Sequence, residues 1–207
     1  MPAKLFFELN PDKRTKIVEA GIEEFSNYGY EGASTNRIVH KCEISKGSLF
    51  KYFANKEDLY FYILDSVSAE FIGDLEKKTC ALPPDLFQRV MEYAALEFQW
   101  YMENPLKAKL IVRAFAESGT EIYQKTIKRY GTKELTIYNT LTQSADSLHF
   151  RWDKEKTIAV LKWFLKGFNT DFIENISDKN RSFAQLHDEY MRSLTLYMEM
   201  LKKGLTE

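Results

Sequence analysis

The sequence predicts an all-α chain of about nine helices, and two observations carry that expectation. Only 5 prolines and 9 glycines are spread over 207 residues, too few turn residues to punctuate an all-β protein. Apolar residues also recur at three- and four-residue steps along most of the chain, the spacing that gathers them on one helical face.

Asn10-Pro11-Asp12 opens the first helix with a capping side chain, a proline at the first helical position and an acid near the positive end of the dipole. Ile17, Ala20, Gly21 and Phe25 share its buried side, and Gly29 stops it. Ser34 or Thr35 caps a short second helix that ends near Cys42, with Ile38 and Val39 as its core contacts. Ser45 caps a third, Lys46 to Phe53. Asn55 with Asp58 opens a fourth, whose apolar stripe runs through Leu59, Ile63, Val67, Phe71 and Leu75 before fading at Lys77-Lys78.

Leu82-Pro83-Pro84 lies in the best linker of the chain, since two successive prolines cannot sit inside a helix. Beyond it the pattern predicts helices from Asp85 to Glu103, Leu106 to Glu117, Thr120 to Ser144 (bent near Gly131), Asp153 to Ile176 and Phe183 to Lys203. In the last two, the steps of Leu161, Leu165, Phe168 and Phe172, and of Tyr190, Leu194, Tyr197 and Leu201, suit near-parallel helix packing. Extra apolar residues on their other faces mark these eight positions as candidates for a dimer interface. The expected division is a helix-turn-helix domain over 1–55 and a ligand-binding and dimerisation domain over 56–207.

Charge is balanced overall, 29 bases against 30 acids, so bulk electrostatics advertise no nucleic acid. Distribution says more: from Ser34 to Lys56 the bases are Arg37, Lys41, Lys46, Lys51 and Lys56, against the single acid Glu43. Three short helices with a tight link between the second and third describe a helix-turn-helix. On the third, Leu49 and Phe53 point inward, which turns Gly47 and Lys51 outward, Ser48 to the flank and Lys46 to the tip. Such small, polar and basic residues suit a close approach to base edges. Thr35 and Lys56, at helix starts, are placed to meet phosphates, and Tyr52 offers a phenolic hydroxyl on the edge of the third helix.

Other chemistry finds little support. Cys42 and Cys80 have neither partners nor C-x-x-C spacing, which predicts two reduced thiols, mostly buried. No H-E-x-x-H, G-x-S-x-G or glycine-rich phosphate loop is present, and His40, His149 and His187 are scattered. No enzyme, metal or cofactor is expected. The N-terminal apolar run Leu5-Phe6-Phe7 is too short for a signal peptide, and no later run could span a bilayer, so a cytoplasmic protein is expected. All three tryptophans lie beyond residue 85. Phe98, Tyr101, Phe115, Tyr123, Tyr138, Trp163 and Phe164 are the aromatics most suited to lining a ligand pocket there.

The segment Ile17 to Leu59 resembles the N-terminal domain of the tetracycline-repressor (TetR) family. The resemblance is carried by Ile17, Ala20, Phe25, Gly29-Tyr30, Ser34-Thr35, Ile38, the run Ile44-Ser45-Lys46-Gly47-Ser48-Leu49-Phe50-Lys51-Tyr52-Phe53, and Asn55-Lys56-Glu57-Asp58-Leu59. It implies a homodimeric repressor of a palindromic operator in double-stranded DNA, released when a small-molecule effector binds the C-terminal domain. It implies base contacts from Lys46, Gly47, Ser48 and Lys51, and phosphate contacts from Thr35, Tyr52 and Lys56. An effector would act by tilting the fourth helix, expected to be the only covalent bridge between the domains. Glu43 departs from the family's usual glycine and Phe50 from a frequent tyrosine. The alternative is a helical ligand-binding or adapter protein that no longer uses its helix-turn-helix on DNA.

Overall fold

The structure, a computed structural model, describes residues 2–79, 82–83, 85–116, 119–130, 151–175 and 183–205. Its regular elements are all helical: α1 Lys4–Phe7, α2 Pro11–Gly32, α3 Thr35–Lys41, α4 Lys46–Tyr52, α5 Lys56–Thr79, α6 Leu86–Glu103, α7 Pro105–Ala116, α8 121–130, α9 Lys154–Asn175 and α10 Phe183–Leu205. The all-α expectation holds, with α1 added to it. The stretch where a bend near Gly131 was expected lies outside the described residues.

The helix starts follow local chemistry. Asn10 Oδ1 accepts the Asp12 N–H at 2.8 Å, Asn55 Oδ1 that of Asp58 at 2.8 Å, Asp85 Oδ1 that of Gln88 at 2.9 Å and Asp153 Oδ1 that of Lys156 at 3.0 Å. At Gly29 the backbone turns to φ 66°, ψ −178°, a region open essentially to glycine, and α2 breaks there before a last turn to Gly32.

The chain forms two compact units, Met1–Asp74 with Asn104–Thr126 and Leu75–Glu103 with Ile127–Glu207. The chain therefore passes from one to the other within α5, between α6 and α7, and within α8. This partition differs from the expected division at 55/56, because α7 and the first part of α8 belong with the N-terminal helices. The first unit packs α1 to α4 around the buried side chains of Phe6, Ile17, Phe25, Ile38, Leu49, Phe53, Leu59 and Ile63. α7 joins it against α2: Ser26 Oγ donates to the Leu106 carbonyl at 2.6 Å, and Lys107 pairs with Glu70 at 2.5 Å. Lys125 on α8 pairs with Glu57 at 2.7 Å and Glu121 at 2.8 Å, and its hydrogen bonds to those carboxylates hold the ammonium above its ordinary range.

The second unit buries Leu86, Val90, Ala94 and Phe98 of α6 with Leu161 and Leu165 of α9 and Leu186, Tyr190, Leu194 and Met198 of α10. Leu161, Leu165, Tyr190 and Leu194, all candidates for a dimer interface, are at most 3% exposed in the single chain. Their periodicity marks packing within the chain. A polar network lies beside this core: Asn169 Nδ2 donates to Glu97 Oε2 at 2.8 Å, the Tyr101 hydroxyl to Glu97 Oε1 at 2.7 Å, and the Tyr190 hydroxyl to Asn169 Oδ1 at 2.7 Å.

Candidate nucleic-acid interface

The helix-turn-helix is held from beneath by a carboxylate. Glu24 of α2, almost fully buried, accepts the Ser34 N–H at 2.7 Å and Arg37 Nε at 2.9 Å. Ser34 occupies the cap position of α3, but its side chain makes no cap bond; the Glu24 carboxylate serves there instead. Arg37 also donates to the Gly32 carbonyl at 2.8 Å, and its guanidinium lies 4.1 Å over the Tyr28 ring. Hydrogen bonding to Glu24 raises the pKa of Arg37.

α3 ends in a left-handed turn. Glu43 sits at φ 56°, its N–H bonds the His40 carbonyl at 3.2 Å, and the Ile44 N–H bonds that of Val39 at 3.1 Å. These two bonds form a Schellman motif, whose left-handed residue is usually glycine. Glu43 thus accepts strain of about 1–2 kcal/mol, offset only by a long, exposed pairing with Lys16 at 3.8 Å. Glu43→Gly is expected to stabilise the fold by roughly 0.5–1 kcal/mol, the relieved strain less the greater unfolded freedom of glycine. Urea denaturation of the two chains checks this.

Ser45 then caps α4: its Oγ accepts the Ser48 N–H at 3.0 Å and stands 2.8 Å from the Ser48 hydroxyl. Leu49 and Phe53 are buried, as their spacing predicts, while Lys46, Gly47, Phe50 and Lys51 are exposed and Ser48 is half-buried. A Cβ built at Gly47 would meet nothing closer than Ser45 Oγ at 3.9 Å. Nothing inside the fold demands glycine there, although glycine weakens a helix.

The five bases of the segment divide sharply. Arg37 is held by Glu24 and Lys41 by Glu23. Lys56 points its Nζ at the carbonyls of Tyr30 (2.8 Å), Ala33 (3.3 Å) and Glu31 (3.4 Å), with the Tyr30 ring 4.5 Å away. It neutralises the carbonyl end of α2. Among the described residues, Lys46 and Lys51 make no ion pair and no hydrogen bond, and both project from α4.

Two of the residues expected at phosphates have partners within the fold. Lys56 is engaged with carbonyls, and Tyr52 is buried against Phe6, their ring centroids 6.1 Å apart. Thr35, at the start of α3, remains half-exposed, and His40 is exposed. Cys42 is buried as expected, its thiol donating to the Lys16 carbonyl at 3.4 Å, and burial raises its pKa. Cys80 lies outside the described residues.

The described aromatic candidates take different places. Phe98 is core, stacked on Tyr190 with centroids 4.2 Å apart, and Tyr101 is buried with its hydroxyl on Glu97. Phe164 stacks on Phe168 at 5.6 Å, whereas Trp163 is 70% exposed and faces outward. Phe115 and Tyr123 are half-buried in the first unit, and Tyr138 lies outside the described residues. The second unit instead holds a cleft of about 570 Å³ whose lining includes Glu92, Leu96, Gln99, His187 and Asp188. Sequence reasoning missed it, because ordinary surface-type residues on α6 and α10 carry no distinguishing spacing.

An all-α chain with a capped, lysine-bearing helix held outward by a helix-turn-helix has the architecture of a transcriptional regulator. Residues 17–63 match the family described as "Bacterial regulatory proteins, tetR family". The uncharacterized HTH-type transcriptional regulator YhgD of Bacillus subtilis is 26% identical over 57% of this chain, and the match spans only 61% of YhgD. The IcaR negative transcriptional regulator of the biofilm operon icaADBC, from Staphylococcus epidermidis, is 22% identical over 90% of this chain and 99% of its own length. A TetR family transcriptional regulator from Chloroflexus aurantiacus superposes with a TM-score of 0.77 at 21% identity, covering 100% of this chain and 99% of its own, which establishes the shared fold. Over residues 17–63 the chain is thus similar to the tetR family of bacterial regulatory proteins, and over its whole length it shares the fold of the Chloroflexus regulator. These relatives are regulators, not enzymes.

Proposed function

We propose that this protein is a cytoplasmic, homodimeric repressor that reads a palindromic operator through α4 and leaves it when a small molecule binds the C-terminal region. One observation carries the DNA reading: three of the five bases of the helix-turn-helix are consumed by the fold, and the two left over lie on one exposed helix beside a glycine the fold does not need. In this reading Lys46, Gly47, Ser48 and Lys51 face base edges and Thr35 offers its hydroxyl to a phosphate. No described helix is long and apolar enough to cross a membrane.

Dimerisation uses the apolar faces that the second unit leaves exposed. Trp163 on α9 with Leu196, Tyr197 and Met200 on α10 are 70%, 58%, 46% and 63% exposed, an unusual concentration of large apolar side chains. Tyr197 keeps its place from the original candidates, joined by the half-buried Phe168, Phe172 and Leu201. Two heads held in this way would enter successive major grooves about 34–36 Å apart, or a multiple of that. The cleft between α6 and α10 has the size of a small-molecule site, and its mixture of acids, His187 and aliphatic surface suits a ligand with both polar and apolar parts. Because α7 is bonded to α2 at Ser26, a shift of α7 as well as of α5 would move the head.

Gly47→Ala tests the carrying observation, because fold and function respond with opposite signs. Alanine in place of an exposed helical glycine is expected to raise stability by up to about 1 kcal/mol. The added methyl would crowd a groove wall and cost about 1–3 kcal/mol, a roughly 5- to 150-fold loss of operator affinity. Urea denaturation and fluorescence anisotropy on the same preparation read both. Gain in stability with unchanged affinity places α4 away from DNA.

A further inference from the structure

We propose that α1 is a clip that sets the pose of the recognition helix α4, with Phe6 as its positioning residue; this rests on the DNA-binding reading above. The Ala3 N–H donates at 2.8 Å to the carbonyl of Tyr52, the last residue of α4. The Phe6 ring is fully buried, with its centroid 4.9 Å from that of Phe53, where the chain leaves α4, and 5.2 Å from that of Tyr62 on α5. At the far end of α1, Arg14 Nη1 of α2 donates to the Phe7 carbonyl at 3.2 Å. α1 is thus tied to three helices, and its attachment to α4 is at the C-terminal end.

That end is the pivot. α4 has only 7 residues and α1 only 4, so neither has stability or direction of its own. The carbonyls of the last turn of α4 lack partners within the helix, and the Ala3 N–H supplies one. From Tyr52 to Lys46 the helix is about 9 Å long, so a tilt of about 10° at the pivot displaces the lysine tip by about 1.6 Å. A displacement of that size breaks hydrogen bonds to base edges, whose donor–acceptor distances span only about 0.5 Å. Long, mobile lysine chains still reach phosphates after such a tilt. Loss of the clip therefore removes sequence preference ahead of salt-driven binding.

The test compares Phe6→Ala, Phe6→Leu and Ala3→Pro with the unaltered chain, on the duplex that chain enriches from a random-sequence pool and on a scrambled duplex. Ala3 already has φ −65°, so proline fits its backbone while deleting the N–H that bonds Tyr52, and the ring cluster is untouched. Phe6→Ala and Ala3→Pro are expected to lower affinity for the enriched duplex tenfold or more and to leave affinity for the scrambled one within twofold. Phe6→Leu, which refills most of the space, is expected to restore the preference. Unchanged affinity for the enriched duplex in both Phe6→Ala and Ala3→Pro overturns the proposal. So does a parallel loss of enriched-duplex binding, scrambled-duplex binding and far-ultraviolet circular dichroism, the mark of simple unfolding. If the unaltered chain enriches no duplex, the DNA-binding reading itself falls, an outcome distinct from the other two.

Discussion

Replacing Lys46 and Lys51 together by alanine is expected to lower operator affinity by roughly 30-fold to more than 10⁴-fold, taking about 1–3 kcal/mol for each specific contact. The fold is expected not to notice. Both side chains are exposed and, among the described residues, neither takes part in an ion pair or hydrogen bond, so stability is expected to stay within about 0.5 kcal/mol of the unaltered chain. The contrast is with Lys56, whose ammonium closes the carbonyl end of α2 at 2.8 Å from Tyr30 O; its removal is expected to reduce stability. The salt dependence of anisotropy titrations carries a second reading. Each lysine lost from a phosphate flattens the slope of log K against log salt by up to about one, so the double variant changes it by up to about two in a monomer and about four in a dimer. A slope and an affinity equal to those of the unaltered chain would leave α4 without a partner and favour an adapter whose helix-turn-helix no longer meets DNA.

The outward ridge of α4 was legible because two independent signals coincide there. Leu49 and Phe53 fix the inward face by spacing, and Ser45 fixes the start by capping. The fates of Arg37, Lys41 and Lys56 were not legible. Each finds its partner on or at the end of α2, at Glu24, Glu23 and the carbonyls near Gly32, and no local spacing announces a contact across helices. α1 escaped for a related reason: four residues are too few to show a helical period, and Phe6 is buried by rings from α4 and α5. The candidate dimer seam has a sharper lesson. Four-residue steps through Leu161 and Leu165, and through Tyr190 and Leu194, establish that a face is apolar without saying which helix covers it; here α6 of the same chain does so. The faces left over, at Trp163 and Met200, had looked like mere breadth of the apolar stripe. Aromatic content is an ambiguous sign of a pocket because stacking consumes part of it: Phe98 meets Tyr190 at 4.2 Å.

Gly21→Ala is expected to destabilise the first unit by about 1–2 kcal/mol, against the helix propensity that would make alanine the better residue by about 1 kcal/mol. A Cβ at Gly21 would lie 2.2 Å from Cδ1 of Ile63, a side chain of α5 with no exposed surface and a close-packed surround, so either the isoleucine leaves its rotamer or α2 and α5 separate. The atom responsible can be removed. Ile63→Val deletes Cδ1 and alone costs about 0.5–1.5 kcal/mol as a cavity. In the double variant the alanine methyl enters that space, so the two losses are expected not to add: a favourable coupling of about 1–2 kcal/mol would return the protein to within about 1 kcal/mol of its original stability. Chemical denaturation of the four chains measures the cycle. Additive losses, or a Gly21→Ala chain as stable as the original, would mean that α2 and α5 do not approach so closely. Since α2 carries Glu24, the anchor of α3, and α5 follows directly from α4, that approach sets the spacing on which the reading head is built. Gly21→Ala is accordingly expected to weaken operator binding as well, and Ile63→Val to restore both properties together.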